Sequence, residues 1–210
     1  MARRHPPTGR HTVKTNKEPD SKVELKITPI TFQQLWDNYV TGKPYDDPQG
    51  THSNQCAIRL SATLHKVGVD MKSFSQNNVK PMPGKASLGR ILLNGKATAT
   101  RAYEMAEWLK LMPFAGLSRP VDITGPDWLE RARGRTGIIF FFGYWQQSGD
   151  SGSDLTGGHI DLWNGERMPN NGIRGAFQNF VRFRLRVPSL GGWLFSDLGN
   201  SRKILIFEVK

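Results

Sequence analysis

The order of the apolar patterns along the chain constrains its fold more than any other feature. Apolar residues recur at helical spacing in the first part of the chain, which predicts helices over residues 31–40, 54–67, 98–112 and 124–133. Strand-like patterns follow over residues 136–145, 159–163 and 204–209. Helices first and antiparallel strands afterwards indicate an α+β fold in which N-terminal helices pack on an antiparallel β-sheet.

Local signals refine this outline. Thr31 and Gln34 have the spacing of a capping box, and Asn54 can cap a helix that carries Cys56 in its first turn. Asn164 with Gly165 predicts a hairpin turn. Three other segments are less regular: residues 69–97 suggest irregular structure, residues 173–187 fit helix or strand, and residues 192–195 suggest a closing hairpin with residues 204–209.

The composition of the N-terminal residues predicts a tail followed by one domain. Residues 1–22 combine proline, glycine and basic side chains without helical or strand periodicity, which predicts a flexible basic tail before a domain at residues 23–210. The formal net charge of +11 favours an anionic partner. No apolar stretch approaches the ~20 residues of a membrane span, and no secretory signal peptide is visible, so export would need a dedicated machine.

Cys56 is the single cysteine of the chain, so an intramolecular disulfide is excluded. A cysteine in the first turn of a helix faces unpaired backbone N–H groups and the positive end of the helix dipole, which favour a thiolate. Arg59, one turn later, adds positive charge. The sequence therefore indicates a nucleophile, with an inert buried thiol as the alternative.

A thiolate nucleophile needs an imidazole as general base, and that imidazole needs a partner that fixes its tautomer. His159 begins a predicted strand after Gly157 and Gly158, which let a substrate approach closely. Two kinds of partner are available. Asp161 lies two residues on and shares the face of His159, whereas Asn170, the preferred choice, or Asn171 would reach the ring from across the predicted hairpin.

The remaining parts of a thiol site are less well defined by the sequence. An oxyanion hole would use the backbone N–H of Cys56 and one further donor, for which Gln49, Ser53 and Gln55 are near enough. We expect Gln55, Arg59 and Gly158 to contact the substrate. The histidines have no metal-ligand spacing, so neither a metal nor another cofactor is expected.

The two most distinctive segments are Asn54-Gln-Cys-Ala-Ile-Arg-Leu-Ser61 and Gly157-Gly-His-Ile-Asp-Leu-Trp-Asn-Gly165. Together they resemble the fourth family of type VI secretion amidase effectors, papain-like proteins related to NlpC/P60 peptidases. The early Phe32-x-x-Leu-Trp36 segment and the final Ser201-Arg-Lys-Ile-Leu-Ile-Phe-Glu208 segment are also similar to that family. The resemblance covers most of residues 31–210 and implies a papain-like α+β fold.

The resemblance implies an antibacterial DL-endopeptidase that cleaves the amide between γ-D-glutamate and meso-diaminopimelate in peptidoglycan stems through a thioester. The expected partners are the stem peptides, the type VI apparatus that delivers the protein to the periplasm of a competitor, and a cognate immunity protein. Cys56 matches the family's nucleophile and His159 its base. The third catalytic position, usually Asp in the family, falls near Asn170.

Two other functions are alternatives to the peptidase. A thiol fold also supports acyl transfer or deamidation on a protein substrate, because the thioester can react with an amine instead of water. The net charge, together with Arg182, Arg184 and Arg186 near Phe180 and Phe183, suggests a nucleic-acid-binding module. That arginine pattern also fits an edge strand with one solvated face, so the peptidase is preferred.

Overall fold

The structure is a computed structural model that describes residues 9–14, 22–144, 156–169 and 198–210. Its helices are α1 (Phe32–Asp37), α2 (Cys56–Lys66), α3 (Ala102–Leu109) and α4 (Trp128–Ala132). Its strands are β1 (Gly9–Lys14), β2 (Lys22–Ile27), β3 (Arg90–Leu93), β4 (Lys96–Ala99), β5 (Val121–Asp122), β6 (Gly137–Phe142), β7 (Gly158–Trp163) and β8 (Lys203–Glu208). A turn of 3₁₀ helix spans Leu198–Asn200. The α+β class predicted from the sequence is confirmed.

The central element is a four-stranded antiparallel sheet in the order β5, β8, β6, β7. β6 is apolar along its length and is buried on both faces, as expected of an inner strand covered from two sides. Alternate residues of β6 join different cores: Ile138 and Phe140 pack in the cluster that contains α2 and α3, whereas Ile139 and Phe141 pack with α4. The sheet therefore lies between two layers of helix. Among the described residues, β7 is the strand at one edge of the sheet.

Helix α2 begins where the sequence predicts a helix start. Its buried face includes Ala57, Leu60 and Leu64, so the apolar stripe holds the helix against the sheet. The N-cap is Gln55 rather than Asn54, but the Asn54 side chain still accepts a hydrogen bond from the Cys56 N–H, at 3.4 Å. Packing of the stripe thus fixes Cys56 in the first turn.

Helix α1 confirms its predicted cap. The Thr31 hydroxyl accepts from the Gln34 N–H, and the Gln34 side chain accepts from the Thr31 N–H, which is a complete capping box. α3 and α4 are shorter than the predicted helices at residues 98–112 and 124–133.

The segment 69–97 contains structure where the sequence analysis expects none. β3 and β4 form a hairpin whose turn residues Asn94 and Gly95 both have positive φ, of 50° and 76°. Positive φ at both central positions defines a type I′ turn, for which Asn-Gly is the preferred pair. The flanking strands have only four residues each, which is why their patterns are hard to recognise.

The N-terminal segment also departs from its prediction. Over residues 9–14 the chain forms β1, which pairs antiparallel with β2 so that Gly9 lies opposite Ile27 and Lys14 opposite Lys22. Backbone hydrogen bonds between neighbouring strands need no apolar periodicity, so a polar sequence can adopt this conformation. The division of the chain at residue 22 into a tail and a domain stays a prediction.

Several predictions fall in or next to segments outside the described residues. These predictions concern Asn170, Asn171, the ambiguous segment 173–187 and the strand expected at 192–195.

The last two described strands of the central sheet also bear on the predicted hairpins. β8, which covers most of the strand predicted at residues 204–209, occupies the middle of the sheet, between β5 and β6. After β7, the Asn164 side chain accepts hydrogen bonds from the N–H groups of Glu166 and Arg167, and no strand follows up to residue 169. Within the described ranges, no helix has the length and apolar character that a membrane crossing requires.

Candidate active site

Cys56 lies at the junction of α2 and β7. Its side chain is buried, with 4% of its surface exposed, but it lines a cavity of about 660 Å³. The cavity extends over the loop before α2, the start of α3 and the start of β7. Its lining residues are Gly50, Thr51, His52, Ser53, Asn54, Cys56, Met82, Lys85, Thr100, Arg101, Ala102, Tyr103, Thr156 and Gly158. The thiol is thus shielded from bulk water but open to a ligand.

The surroundings of Cys56 favour its thiolate. Burial alone would raise the pKa of the Cys56 thiol. A side-chain hydrogen bond with His159 and the positive charge of that ring oppose this effect, as do a backbone hydrogen bond from Ile160 and the charge of Arg59. Together they hold the pKa of Cys56 below its ordinary value of 9.0.

His159 is the other half of this pair. Burial would lower the pKa of His159, but hydrogen bonds with Asp161 and Cys56, together with the negative charges of both, raise it to about 9. The His159 side chain is 19% exposed, so the ring is not sealed from the solvent. The two shifts therefore act in the same direction, toward an ion pair of Cys56 thiolate and His159 imidazolium.

Asp161 provides a buried carboxylate behind the ring. One carboxylate oxygen lies 3.5 Å from His159 Nε2, and the other accepts a hydrogen bond from the Leu162 N–H at 2.9 Å. The Asp161 side chain is only 2% exposed. The alternation of β7 explains this arrangement, since residues two apart in a strand share one face. Asn170, the preferred partner in the sequence analysis, lies outside the described residues.

Two of the expected substrate-contacting residues have other contacts. The buried Gln55 side chain binds the backbone of Tyr45 twice, donating to its carbonyl at 2.8 Å and accepting from its N–H at 3.1 Å. This ties the loop before α2 to the helix start. Arg59 Nη1 donates to the Gly42 carbonyl at 3.3 Å, while its buried Nε has no hydrogen-bond partner in the described part of the chain.

Gly158 lies in the cavity wall, and its contact with the substrate stays a prediction. A Cβ at this position would come within 3.0 Å of the Phe141 carbonyl oxygen and 3.6 Å of the Ala102 Cβ. A side chain here would need the Phe141 backbone to shift by a few tenths of an ångström, so the close packing of β7 favours glycine independently of any contact with a ligand.

Sequence reasoning missed the charged residues on the other elements of the cavity. Arg101 precedes α3, and Lys85 lies in the loop between α2 and β3. Neither residue lies near Cys56 or His159 in the sequence, so only the folded chain brings them together. The one available signal is that Arg101 stands directly before a helix whose first turn contains Glu104.

A thiol at the first turn of a helix, paired with a histidine on an antiparallel sheet, defines a papain-like thiol hydrolase. The family model of type VI secretion system (T6SS) amidase effector protein 4, Tae4, matches residues 52–207. This match spans both Cys56 and His159 and most of the 210-residue chain. The chain belongs to this family of amidase effectors, and the predicted family and the predicted cysteine-type peptidoglycan amidase are confirmed.

The chain also has likenesses among solved structures. The chain is similar to the type VI effector Tae4 from Enterobacter cloacae, with 20% identity, 86% of this chain and 96% of that chain covered, and a TM-score of 0.49. It is also similar to Tae4 from Salmonella typhimurium in complex with the immunity protein Tai4 from Enterobacter cloacae, with 16% identity, coverages of 85% and 98%, and a TM-score of 0.44. A search of curated protein sequences finds no match.

Proposed function

We propose that this amidase effector cleaves the amide between γ-D-glutamate and meso-diaminopimelate in peptidoglycan stems, with Cys56 as nucleophile and His159 as general acid and base. The observation that carries the proposal is the side-chain hydrogen bond between His159 and Cys56, which lines the cavity, with Asp161 3.5 Å from His159 Nε2. This contact lowers the pKa of Cys56 and contributes to raising that of His159 to about 9. Family membership indicates peptidoglycan as the substrate class. The choice of the cleaved amide rests on the family resemblance described above.

The first step forms the acyl-enzyme. The Cys56 sulfur attacks the γ-carbonyl carbon of D-glutamate, and the electron pair of the C=O bond moves onto the oxygen. Collapse of this tetrahedral intermediate breaks the C–N bond, while the His159 imidazolium gives its proton to the departing amine of diaminopimelate. The products of this step are a thioester on Cys56, a free amine and a neutral imidazole.

The second step releases the acid. The neutral His159 takes a proton from a water molecule as the water oxygen attacks the thioester carbonyl, and collapse restores the Cys56 thiolate and the imidazolium. The backbone N–H of Cys56 is a candidate donor to the oxyanion in both steps. Its present bond to Asn54 Oδ1 is 3.4 Å long, which is weak enough for a substrate oxygen to replace it.

We assign Asp161, rather than Asn170, to the third catalytic position. The proposal rests on the 3.5 Å approach of Asp161 to His159 Nε2 and on the burial of its carboxylate. With Nε2 turned toward Asp161, Nδ1 is the ring nitrogen left for the Cys56 sulfur. An anionic partner also stabilises the imidazolium that the amine-protonation step consumes.

Delivery and protection follow from the family. We propose that the type VI apparatus carries the protein into the periplasm of target bacteria, where peptidoglycan lies, and that a cognate immunity protein of the Tai4 kind protects the producer. Structures of related Tae4 effectors in complexes with Tai4 immunity proteins support the second part. We further propose that residues 23–210 form the catalytic domain and residues 1–22 a basic N-terminal segment, whose strand β1 pairs with β2 across this boundary.

The test is digestion of purified peptidoglycan with the wild type and with Cys56→Ala, followed by mass spectrometry of the released fragments. We expect the wild type alone to produce fragments cut between D-glutamate and diaminopimelate. Cutting at a different amide would overturn the proposed bond. Equal cutting by Cys56→Ala would overturn the thiol mechanism, and an inactive wild type would redirect attention to protein amides.

A further inference from the structure

The cavity that contains Cys56 has a cationic wall. Its lining includes Arg101 and Lys85 but no aspartate or glutamate among the described residues. Lys85 is exposed and Arg101 is 30% exposed, so both charges can be reached from the cavity. A cavity of this composition favours an anionic group on the ligand.

Arg101 is held rigidly by groups behind it. Its Nη1 donates to the Ser87 carbonyl at 2.8 Å and to Glu104 Oε1 at 2.7 Å. Glu104 is fully buried and accepts two further hydrogen bonds, from the backbone N–H groups of Met82 at 2.9 Å and Gly89 at 2.6 Å. The carboxylate is therefore anchored from several directions, and it fixes the position of the guanidinium.

Gly89 packs closely against the side chains of Arg101 and Glu104. A Cβ on Gly89 would lie 2.7 Å from Thr100 Oγ1, 2.8 Å from Arg101 Cγ and 2.8 Å from Glu104 Oε2. Only a residue without a side chain lets the loop approach the pair this closely. Arg101 thus has little conformational freedom left to lose when it binds a ligand, which favours affinity.

One edge of the guanidinium remains for a ligand. A guanidinium has five N–H donors, and within the described residues its hydrogen bonds to protein groups involve Nη1. The N–H groups of Nε and Nη2 lie side by side on another edge. This fork matches the two oxygens of a carboxylate and forms the strong bidentate contact typical of arginine.

We propose that Arg101 binds a free carboxylate of the peptide stem and selects stems that carry it; this inference rests on the function proposed above. The stem offers two such groups near the scissile amide. One is the α-carboxylate of D-glutamate, on the acyl side of the bond, and the other is the carboxylate at the distal centre of diaminopimelate, on the side of the leaving amine.

The test measures kcat/KM for three stem peptides: the free diacid, the same peptide with the D-glutamate carboxylate amidated, and the same peptide with the distal diaminopimelate carboxylate amidated. We expect one amidation to lower kcat/KM of the wild type by roughly 10- to 100-fold, since a charge-assisted hydrogen bond is lost. That peptide identifies the carboxylate. Arg101→Gln should lower kcat/KM for the diacid by a similar factor. It should also abolish the difference in kcat/KM between the diacid and the amidated peptide that the wild type cleaves poorly.

Arg90→Gln is the matched control, because Arg90 is an exposed arginine on the neighbouring strand that does not line the cavity. It should retain full discrimination. Alkylation of Cys56 by iodoacetamide should be unchanged in Arg101→Gln, which separates substrate binding from a general disturbance of the site. If Arg101→Gln does not fold, Arg101→Lys replaces it: a weakened discrimination supports the proposal, and an unchanged discrimination overturns it.

The outcomes also separate this inference from the proposed function. A wild type that cleaves the diacid and both amidated peptides equally well overturns the role of Arg101 and leaves the peptidase intact. Discrimination that persists unchanged in Arg101→Gln also overturns it. A wild type that cleaves none of the three peptides overturns the proposed function, and the inference with it.

Discussion

The described part of the chain contains two buried carboxylates that each lie behind a cationic side chain, and the two pairs differ in what they can do. Asp161 supports His159 beside the thiol, and Glu104 supports Arg101 in the cavity wall. Within the described residues, Glu104 accepts hydrogen bonds from two backbone N–H groups besides Arg101, whereas Asp161 accepts from one, the Leu162 N–H, and lies farther from its cation, at 3.5 Å. The Glu104 pair is therefore the more tightly anchored one.

The chemistry of the two cationic side chains, Arg101 and His159, explains why the two pairs suit different functions. Arginine remains charged at every accessible pH, so the Arg101 pair can hold a position and a charge but cannot transfer a proton. Histidine can give and take protons within reach of neutral pH. A loosely held carboxylate that favours the imidazolium suits proton transfer, whereas a fully satisfied carboxylate suits the binding of a fixed group. Under the proposed roles, the same pair of charges serves chemistry in one region and recognition in the other.

The largest effect is expected from Asp161→Asn. The change keeps the shape of the side chain but removes the negative charge that favours the imidazolium, so the pKa of His159 should fall and the thiolate should lose its stabilisation. We expect kcat/KM to fall by roughly 10²- to 10⁴-fold, the range of a general acid and base contribution. Steady-state cleavage of a stem peptide measures it.

Asp127→Asn, an exposed aspartate before α4 without a side-chain capping bond, is the matched control and should keep full activity. The contrary result would be a folded Asp161→Asn enzyme that cleaves within a few-fold of the wild type. Asn170→Ala would then be the next variant, because it tests the residue preferred from the sequence.

A smaller effect, on stability rather than on chemistry, is expected from Glu104→Gln. The neutral amide has a single acceptor oxygen, so buried N–H donors lose their partner, and we expect the free energy of unfolding to fall by about 1–3 kcal/mol. Urea unfolding, followed by tryptophan fluorescence, measures this change.

Glu107→Gln provides the comparison on the same helix. Its pair with Lys110 is partly exposed, and such surface pairs contribute roughly 0–1 kcal/mol. A Glu104→Gln protein that is no less stable than Glu107→Gln would contradict the view that the Arg101 support is the rigid one.

The two regions also differ in how far the sequence predicts them. Cys56 in a first helical turn and Asp161 on the face of His159 follow from local periodicity, which a single sequence contains. The partners of Glu104 are spread over residues 82–101 and converge only in the folded chain. A glutamate in an amphipathic helix is expected to face the solvent, so its burial has no local signal.

The hairpin of β3 and β4 shows the same limit at a smaller scale. Asn94 and Gly95 are a recognisable turn pair, but strands of four residues give too few alternations to establish a pattern. The register of β6 against β7, which places Phe141 opposite His159, depends on packing across the whole sheet. The chemistry of the site was thus predictable where it depends on neighbours in sequence.

The central claim, that Cys56 is a thiolate stabilised by His159, is tested most directly by the rate at which iodoacetamide alkylates Cys56 as the pH is varied. Cys56 is the single cysteine, so the mass of the intact protein reports its modification. The thiolate is the reacting form, so the rate rises as the pH passes upward through the pKa of Cys56. We predict a midpoint below the ordinary 9.0 in the wild type and a higher midpoint in His159→Gln, where burial remains and the imidazolium is gone. Equal midpoints at or above 9.0 in both proteins would contradict the account.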